Sequence, residues 1–290
     1  MEQYIDLHTH TLESDGVYSP LNLIKMAKKE NITHLAITDH NRILQNIDEL
    51  RNKFCDMELI SGSEISSQYY TTDGEKKEVH IVGLFLEHTR QLHSFLAQNR
   101  DDGTERINAM LQKLVECGIN LDCNSFAEFK ELYFPERRHI GRPQLAEIIM
   151  KKGFTKTVDE AMDIYIGDYG EKIAYVPSNF NYADIKNVVN MIHGASGIVI
   201  LAHPMSYKLT YEETEKLIEH FAYIGGDGME VLYGGYGDEM RRQLKQLADK
   251  YSLLESCGSD YHGNRVTDRL NHCFPASYLE RLRDRCLHYR

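Results

Sequence analysis

Gly197-Ile198-Val199-Ile200-Leu201-Ala202-His203-Pro204 is an unbroken apolar run that halts on a histidine and a proline. A run this short and this rich in branched residues reads as a strand buried on both faces, the kind found in parallel sheets sandwiched by helices. Downstream, Tyr211 to Ile224 reads as a helix, Gly228 to Leu232 as a strand, Asp238 to Tyr251 as a helix and Ser252 to Ser256 as a strand. The same alternation opens the chain. Tyr4-Ile5-Asp6-Leu7 is a strand; Ser19 then caps a helix with Pro20 at its first position and Leu21, Leu23, Ile24 and Ala27 on its apolar face. Ile32 to Thr38, Met57 to Ser61 and Glu78 to Leu86 follow as strands. Seven strands with intervening helices predict an α/β fold with parallel packing, either a barrel or a doubly wound sheet.

Between Thr89 and Tyr182 the pattern changes to helices only. Glu105 to Cys117 carries Ile107, Met110, Leu111, Leu114 and Val115 at helical spacing, Arg142 to Lys152 has a proline just inside its start, and Thr157-Val158-Asp159-Glu160 is a capping box opening a third helix. The expected organisation is an α/β unit discontinuous over residues 1–88 and 183–290, with a helical insertion, 89–182, crossing one end and covering the active-site face.

The chain has 290 residues, and 33 basic against 44 acidic side chains leave a net charge of −11. Its apolar and charged fractions are those of a globular protein, which excludes disorder and collagen. No stretch approaches the ~18 consecutive apolar residues of a spanning helix, and Met1-Glu2-Gln3-Tyr4-Ile5-Asp6 lacks the basic and apolar regions of a signal peptide, so a cytoplasmic address with no membrane partner is expected. The negative charge opposes long duplex nucleic acid but leaves open a short anion held by metal ions. Cysteines 55, 117, 123, 257, 273 and 286 form no Cys-x-x-Cys pair and read as reduced core residues.

The fourteen histidines are not scattered. In Asp6-Leu7-His8-Thr9-His10, two imidazoles two residues apart on a strand share a face and can reach one metal ion, although His-x-His alone is a weak signal. The other strands supply the rest. Ile32 to Thr38 ends in Asp39-His40, the third strand in Ser63-Glu64, the fourth contains Val79-His80-Ile81, the fifth ends in His203, and the last in Gly258-Ser259-Asp260-Tyr261-His262. Asp15 follows the first strand. In a barrel such strand ends converge on the face where active sites are built. His8, His10, Asp15, His40, Glu64, His80, His203, Asp260 and His262 exceed what one four-coordinate zinc uses, so two or three ions bridged by a carboxylate are expected. Imidazole with carboxylate and no thiolate suits Zn, Mn or Fe. A cluster of this kind activates a hydroxide near neutral pH, and neither Gly-x-Ser-x-Gly nor a Walker loop offers another route. Metal-assisted hydrolysis is the predicted chemistry.

The segments His8-Thr9-His10, Ser14-Asp15-Gly16, Thr38-Asp39-His40, Glu64, His80, Ala202-His203-Pro204 and Ser259-Asp260-Tyr261-His262 run in the order of the PHP (polymerase and histidinol phosphatase) family, which the sequence resembles over nearly its whole length. The resemblance implies a distorted (β/α)7 PHP barrel with three divalent metal ions. By motif, His8, His10, Glu64 and Asp260 would hold one ion and the bridging hydroxide. Glu64 would bridge to a second ion held by His80 and His203, and Asp15, His40 and His262 would hold the third. Arg137-Arg138-His139-Ile140-Gly141-Arg142-Pro143 is similar to the stand-alone phosphoesterases of the family that act on nucleotides, nucleoside 3′,5′-bisphosphates or short 5′-phosphorylated oligonucleotides. Arg142 at a helix start, with His139, would bind substrate phosphate. Gln144 departs from the pattern, since related sequences often carry another histidine there.

The expected activity is therefore that of a metal-dependent phosphatase or phosphodiesterase. The alternatives are a cyclic sugar-phosphate phosphodiesterase, a histidinol phosphatase, an amidohydrolase, or a non-catalytic metal-stabilised module serving a polymerase. His34, His88, His93, His193, His220, His272 and His288 read as structural or exposed. Glu230 reads equally well as a structural carboxylate or a site residue, and Asp6 as a group that orients a ligand histidine.

Overall fold

The computed structural model describes residues 4–100, 103–137, 140–167, 173–177, 180–263, 268–270 and 274–289. Local signals place the elements. The Ser19 hydroxyl accepts from Asn22 N–H and Pro20 takes the first helical position, so α1 (Pro20–Lys29) starts there and buries Leu23, Ile24 and Ala27. α8 (Ile185–His193) opens on Asp184 in the same way and buries Ile185, Val188, Val189 and Ile192, each contributing roughly 1.5–3 kcal/mol of burial free energy.

The sheet has eight strands in the order β7 (Leu254–Gly258), β6 (Gly228–Tyr233), β5 (Ile198–Leu201), β4 (Lys76–Leu84), β3 (Glu58–Tyr70), β2 (Ile32–Ile37), β1 (Tyr4–Asp6) and β8 (Phe274–Pro275). It curls until the chain just past β1 meets the chain just past β7. Asp260 N–H donates to His8 O at 2.9 Å and His10 N–H to Tyr261 O at 2.9 Å. The result is an α/β fold with a nearly closed, barrel-like sheet. Ile5, Ala36, Ile60, Val82, Ile200 and Cys257 from six strands share one buried cluster, which Leu279 and Leu282 of α11 (Ser277–Cys286) join. Outside, α1 and α2 (Ile47–Lys53) cover β2. α8, α9 (Tyr211–Tyr223) and α10 (Asp238–Lys250) cover β5 and β6.

The strands depart from uniform parallel packing. β4 runs antiparallel to both β3 and β5, and the short β8 runs antiparallel to β1. The reason for β4 is the connection before it. Only residues 71–75 separate β3 from β4, too few for the crossover a parallel pair needs. Gly74 takes φ +85° and donates to Thr71 O at 2.9 Å, closing a tight turn. β3 is also longer than the Met57 to Ser61 run predicts. It continues to Tyr70, so Glu64 lies in mid-strand rather than at a strand end.

α4 (Thr104–Glu116), α5 (Phe126–Tyr133), α6 (Arg142–Lys151) and α7 (Val158–Ala161) build a separate core around Ile107, Met110, Leu114, Phe129, Leu145 and Ile149. α3 (Arg90–Gln98), in contrast, packs Leu92 and Leu96 into the barrel-side core.

Candidate metal centre

Glu64 is the hub. Its side chain is 1% exposed, and five imidazoles face its two oxygens. Oε1 lies 2.9 Å from His80 Nδ1 and 2.9 Å from His203 Nε2. Oε2 lies 3.0 Å from His40 Nδ1, 3.3 Å from His10 Nε2 and 3.4 Å from His8 Nε2. Asp260 Oδ1 approaches His10 Nε2 at 3.1 Å and His8 Nε2 at 3.4 Å. Asp15 Oδ2 lies 3.2 Å from His262 Nε2 and 3.6 Å from His40 Nε2. All nine residues singled out from the sequence thus lie around one centre. Three groups have donor atoms close enough to share an ion: His8, His10, Glu64 and Asp260; His40, Glu64 and His80; and His10, Asp15, His40 and His262.

The backbone is bent to make this possible. His203 and Asp260 have φ of +25° and +54°, a region that costs a residue with a Cβ about 1–3 kcal/mol. Surrounding contacts hold them. The Tyr207 hydroxyl accepts from His80 N–H at 2.9 Å and donates to Ala202 O at 2.6 Å, joining β4 to the residue before His203. The Tyr233 hydroxyl donates to Asp260 Oδ2 at 2.9 Å. Asp39 is a further holding group. Its carboxylate accepts from Thr11 N–H, the Thr11 hydroxyl and the Ser14 hydroxyl at 2.8, 2.7 and 2.6 Å, which folds the loop that carries Asp15.

Electrostatics follows from this crowding. Burial penalises the Glu64 charge, yet His80, His40 and His8 outweigh it and hold the carboxyl well below its usual range. Burial likewise pushes His8 toward neutrality, but Glu230, Glu64 and Asp260 win and raise its pKa well above 6.5. His10 is raised to about 10, against its burial, by Asp260, Glu64 and Asp15. His40 goes the other way, to about 4, because its burial outweighs the pull of Glu64 and Asp15.

Glu230, left open by the sequence, holds two of the histidine-bearing segments. Oε1 lies 2.8 Å from His8 Nδ1, and Oε2 accepts from His203 N–H at 2.7 Å. This directs His8 Nε2 toward Glu64 and Asp260. The sequence signal was a carboxylate inside the buried run Gly228-Met229-Glu230-Val231, on the sixth strand, the one left without a candidate ligand. Glu230→Gln places an amide N–H against one of two donors whichever way it turns. The expected result is a folded protein whose divalent-metal affinity falls about 10–100-fold, read by equilibrium dialysis with metal analysis; unchanged affinity would remove Glu230 from this role.

Asp6 meets the ligand candidate His8 through the backbone rather than the ring. Its Oδ1 accepts from the backbone N–H of His8 at 3.3 Å and of Ser259 at 2.9 Å, so it joins the chain after β1 to the chain after β7. Burial pushes its carboxyl up to about 7.

Beside the centre lies a cleft of about 290 Å³ whose lining includes Asp15, His40 and His80. Arg142, the first residue of α6, lines it, with its guanidinium 5.9 Å from the centre of the Tyr175 ring. His139 lies outside the described residues. The sequence reading did not single out Arg42, Arg100, Arg106, Glu78 and Tyr182, which also line the cleft. Arg100 and Arg106 are anchored by Nε donation to Asn41 O at 3.1 Å and Val176 O at 2.9 Å. Glu78 Oε1 lies 3.3 Å from His80 Nε2. Its signal was its place two residues before His80, on the same strand face.

The sequence profile of the PHP domain matches residues 6–253. The chain belongs to the PHP family. This PHP-family chain is 34% identical over 283 residues to the 5′-3′ exoribonuclease of Haemophilus influenzae, an alignment that covers 97% of this chain and 93% of that protein. It is 29% identical over 261 residues to the 3′,5′-nucleoside bisphosphate phosphatase of Chromobacterium violaceum, covering 89% and 87%. Its fold is similar, with a TM-score of 0.78 and 27% identity over 96% of each chain, to the structure of an amidohydrolase from Chromobacterium violaceum with bound sulfate and no metal. With side-chain clusters able to coordinate metal ions, this PHP-family chain is a metal-dependent hydrolase of phosphate esters. Among the described residues no helix is long and apolar enough to cross a membrane.

Proposed function

We propose that the substrates are nucleotides, nucleoside 3′,5′-bisphosphates or short 5′-phosphorylated oligonucleotides. The observation that carries this reading is the cleft: Arg42, Arg100, Arg106 and Arg142 come from four segments and line it beside Asp15, His40 and His80. In a chain of net charge −11, four guanidinium groups around one opening favour a ligand with more than one negative group, and their planar forks match phosphate. The names of the two relatives and the sulfate in the similar structure support the same ligand class.

His8, His10, Glu64 and Asp260 would hold one divalent ion, Glu64, His80 and His203 a second, and Asp15, His40 and His262 a third. The donors of His8, His10, Glu64 and Asp260, of His40, Glu64 and His80, and of His10, Asp15, His40 and His262 lie close enough to share an ion, whereas His203 meets Glu64 Oε1 at 2.9 Å without joining such a group. His40 Nδ1 and Asp260 Oδ1 are buried without a well-aligned hydrogen-bond partner, although Glu64 Oε2 and His10 Nε2 lie 3.0 and 3.1 Å away. Nitrogen and carboxylate oxygen without sulfur suit zinc, manganese or iron. When bound, such ions supply a hydroxide near neutral pH and neutralise charge on phosphoryl oxygens. The chain's own groups do the rest. Arg142 and Arg106 grip phosphate, Glu78 keeps the His80 ring in register, and Ile107, Ile140 and Tyr182 offer an apolar wall to a nucleoside. α4 and α6 bring Arg106, Ile107 and Arg142 to this face.

The test is hydrolysis by metal-reconstituted protein, read as inorganic phosphate from adenosine monophosphate, a nucleoside 3′,5′-bisphosphate and histidinol phosphate, as released mononucleotide from short 5′-phosphorylated RNA, and as ring-opened product from cyclic ribose phosphates. The bisphosphate or the RNA is expected to lead. Arg142→Met is expected to lower kcat/KM on that substrate about 10–100-fold, the worth of a charge-assisted contact of ~1.5–3 kcal/mol. Preference for histidinol phosphate or a cyclic phosphate would overturn the assignment.

A further inference from the structure

Two buried side chains of the helical segment reach the loop that carries Asp15. Arg137, 7% exposed, donates from Nη2 to Gly16 O at 2.7 Å. Gln144, 1% exposed, touches two segments at once. Its Oε1 accepts from Gly141 N–H at 2.8 Å, and its Nε2 donates to Asp15 O at 3.3 Å. Its partners dictate the amide orientation, since a backbone N–H offers only a proton and a carbonyl only lone pairs. Gly141 is the residue that caps α6, and the next residue is Arg142. The Asp15 loop is packed without slack on the other side. A Cβ at Gly16 would come within 2.5 Å of His10 O.

We infer that Gln144, supported by Arg137, is a positioning residue that couples the start of α6, where Arg142 lines the cleft, to the group formed by Asp15, His10, His40 and His262. Gln144 holds Asp15 at the distance where its carboxylate meets His262 and His40, and the same amide caps the helix that presents Arg142. An ion seated in that group and an anion seated on Arg142 then favour one arrangement of the loop and helix, so each strengthens the other. The inference rests on the three-ion reading proposed above. The site needs one acceptor and one donor about an amide's width apart, and it does not need another ligand.

The test uses the full chain and Mn²⁺. Gln144→Glu keeps an acceptor for Gly141 N–H, and with it the helix cap, but sets an oxygen against Asp15 O. Arg137→Met leaves Gln144 in place and frees the same loop at Gly16. Mn²⁺ binding is measured by equilibrium dialysis, the thermal midpoint with chelator present, and kcat and KM on a nucleoside 3′,5′-bisphosphate. Expected for both variants are a midpoint in chelator lowered by a few degrees, since each leaves a buried backbone oxygen unpaired, and two ions bound as in the wild type. The weakest ion should be about tenfold or more weaker, with a kcat that excess Mn²⁺ restores. If Gln144→Glu does not fold, Arg137→Met decides. Three ions bound with wild-type affinity, or a parallel loss of all three, would overturn the coupling. A wild-type chain that binds fewer than three ions overturns the reading of the site itself, and the inference with it.

Discussion

Glu64→Gln is expected to bind at most one divalent ion and to lose hydrolysis by ~10³-fold or more, over 4 kcal/mol of barrier at ~1.4 kcal/mol per decade. Glu64 belongs to two of the three candidate groups, and only the one formed by His10, Asp15, His40 and His262 keeps its whole donor set without it. Glutamine has the same shape but no charge, and one oxygen becomes an NH₂. If that NH₂ replaces Oε1 it faces His80 Nδ1 and His203 Nε2; if it replaces Oε2 it faces His40, His10 and His8. Either way a donor stands where a cation would bind. The charge that holds His8 well above its ordinary pKa is also reduced, since Glu64 is among the carboxylates responsible. Metal content by elemental analysis, with phosphate release measured on the same sample, checks both parts. A Glu64→Gln protein with a full ion complement and normal turnover would defeat the hub assignment.

Gly258→Ala is the second large effect, and it acts through packing. An added Cβ would lie 2.3 Å from His8 Cβ and 2.7 Å from Glu230 Oε1, and 3.2 Å from His8 N. Neither the β1 backbone nor a carboxylate already bound to His8 and His203 can move aside cheaply. The collision therefore pushes the end of β7 away from the chain after β1. That separation breaks the Asp260 N–H to His8 O bond which closes the barrel, and it withdraws Asp260 from His8 and His10. The expected outcome is a stability loss of about 1–3 kcal/mol together with loss of the ion assigned to His8, His10, Glu64 and Asp260. Thermal unfolding with and without metal reads both. Gly237→Ala, where an added Cβ meets nothing within 4 Å, is the control; as the N-cap of α10 it should cost no more than about 1 kcal/mol and leave the ion content unchanged. A wild-type midpoint and ion content in Gly258→Ala would show that the strand ends can part freely.

Particular residues show how far the chain could be read before its structure was seen. The helix starts were legible at Ser19-Pro20 and at Gly141-Arg142-Pro143, because caps and prolines act within one turn. The nine residues around the centre were legible because apolar strand runs stopped on, or were interrupted by, His, Asp or Glu, and nothing in a core accounts for such residues. β4 was not legible as antiparallel, since an apolar run carries no direction. Only the five-residue connection with Gly74 at positive φ set it. Glu230 stayed undecided because a carboxylate in a strand looks the same whether it binds a backbone or an imidazole.

The sequence by itself determined which side chains are able to ligate a metal ion and that they come from many strands, because residue type and periodicity are local properties. Tertiary structure alone decided how those side chains are divided. It put one carboxylate, Glu64, among five imidazoles, turned Glu230 onto His8, and gathered Arg42, Arg100 and Arg106 with Arg142 around one cleft. Residues 42 and 64 meet because β2 pairs with β3, whereas Glu230 reaches His8 when the sheet curls until β1 meets β7, and Arg142 reaches the cleft when α6 folds against that end. The identity of a donor is written in its own residue. The partner it shares is set by the path of the backbone between them.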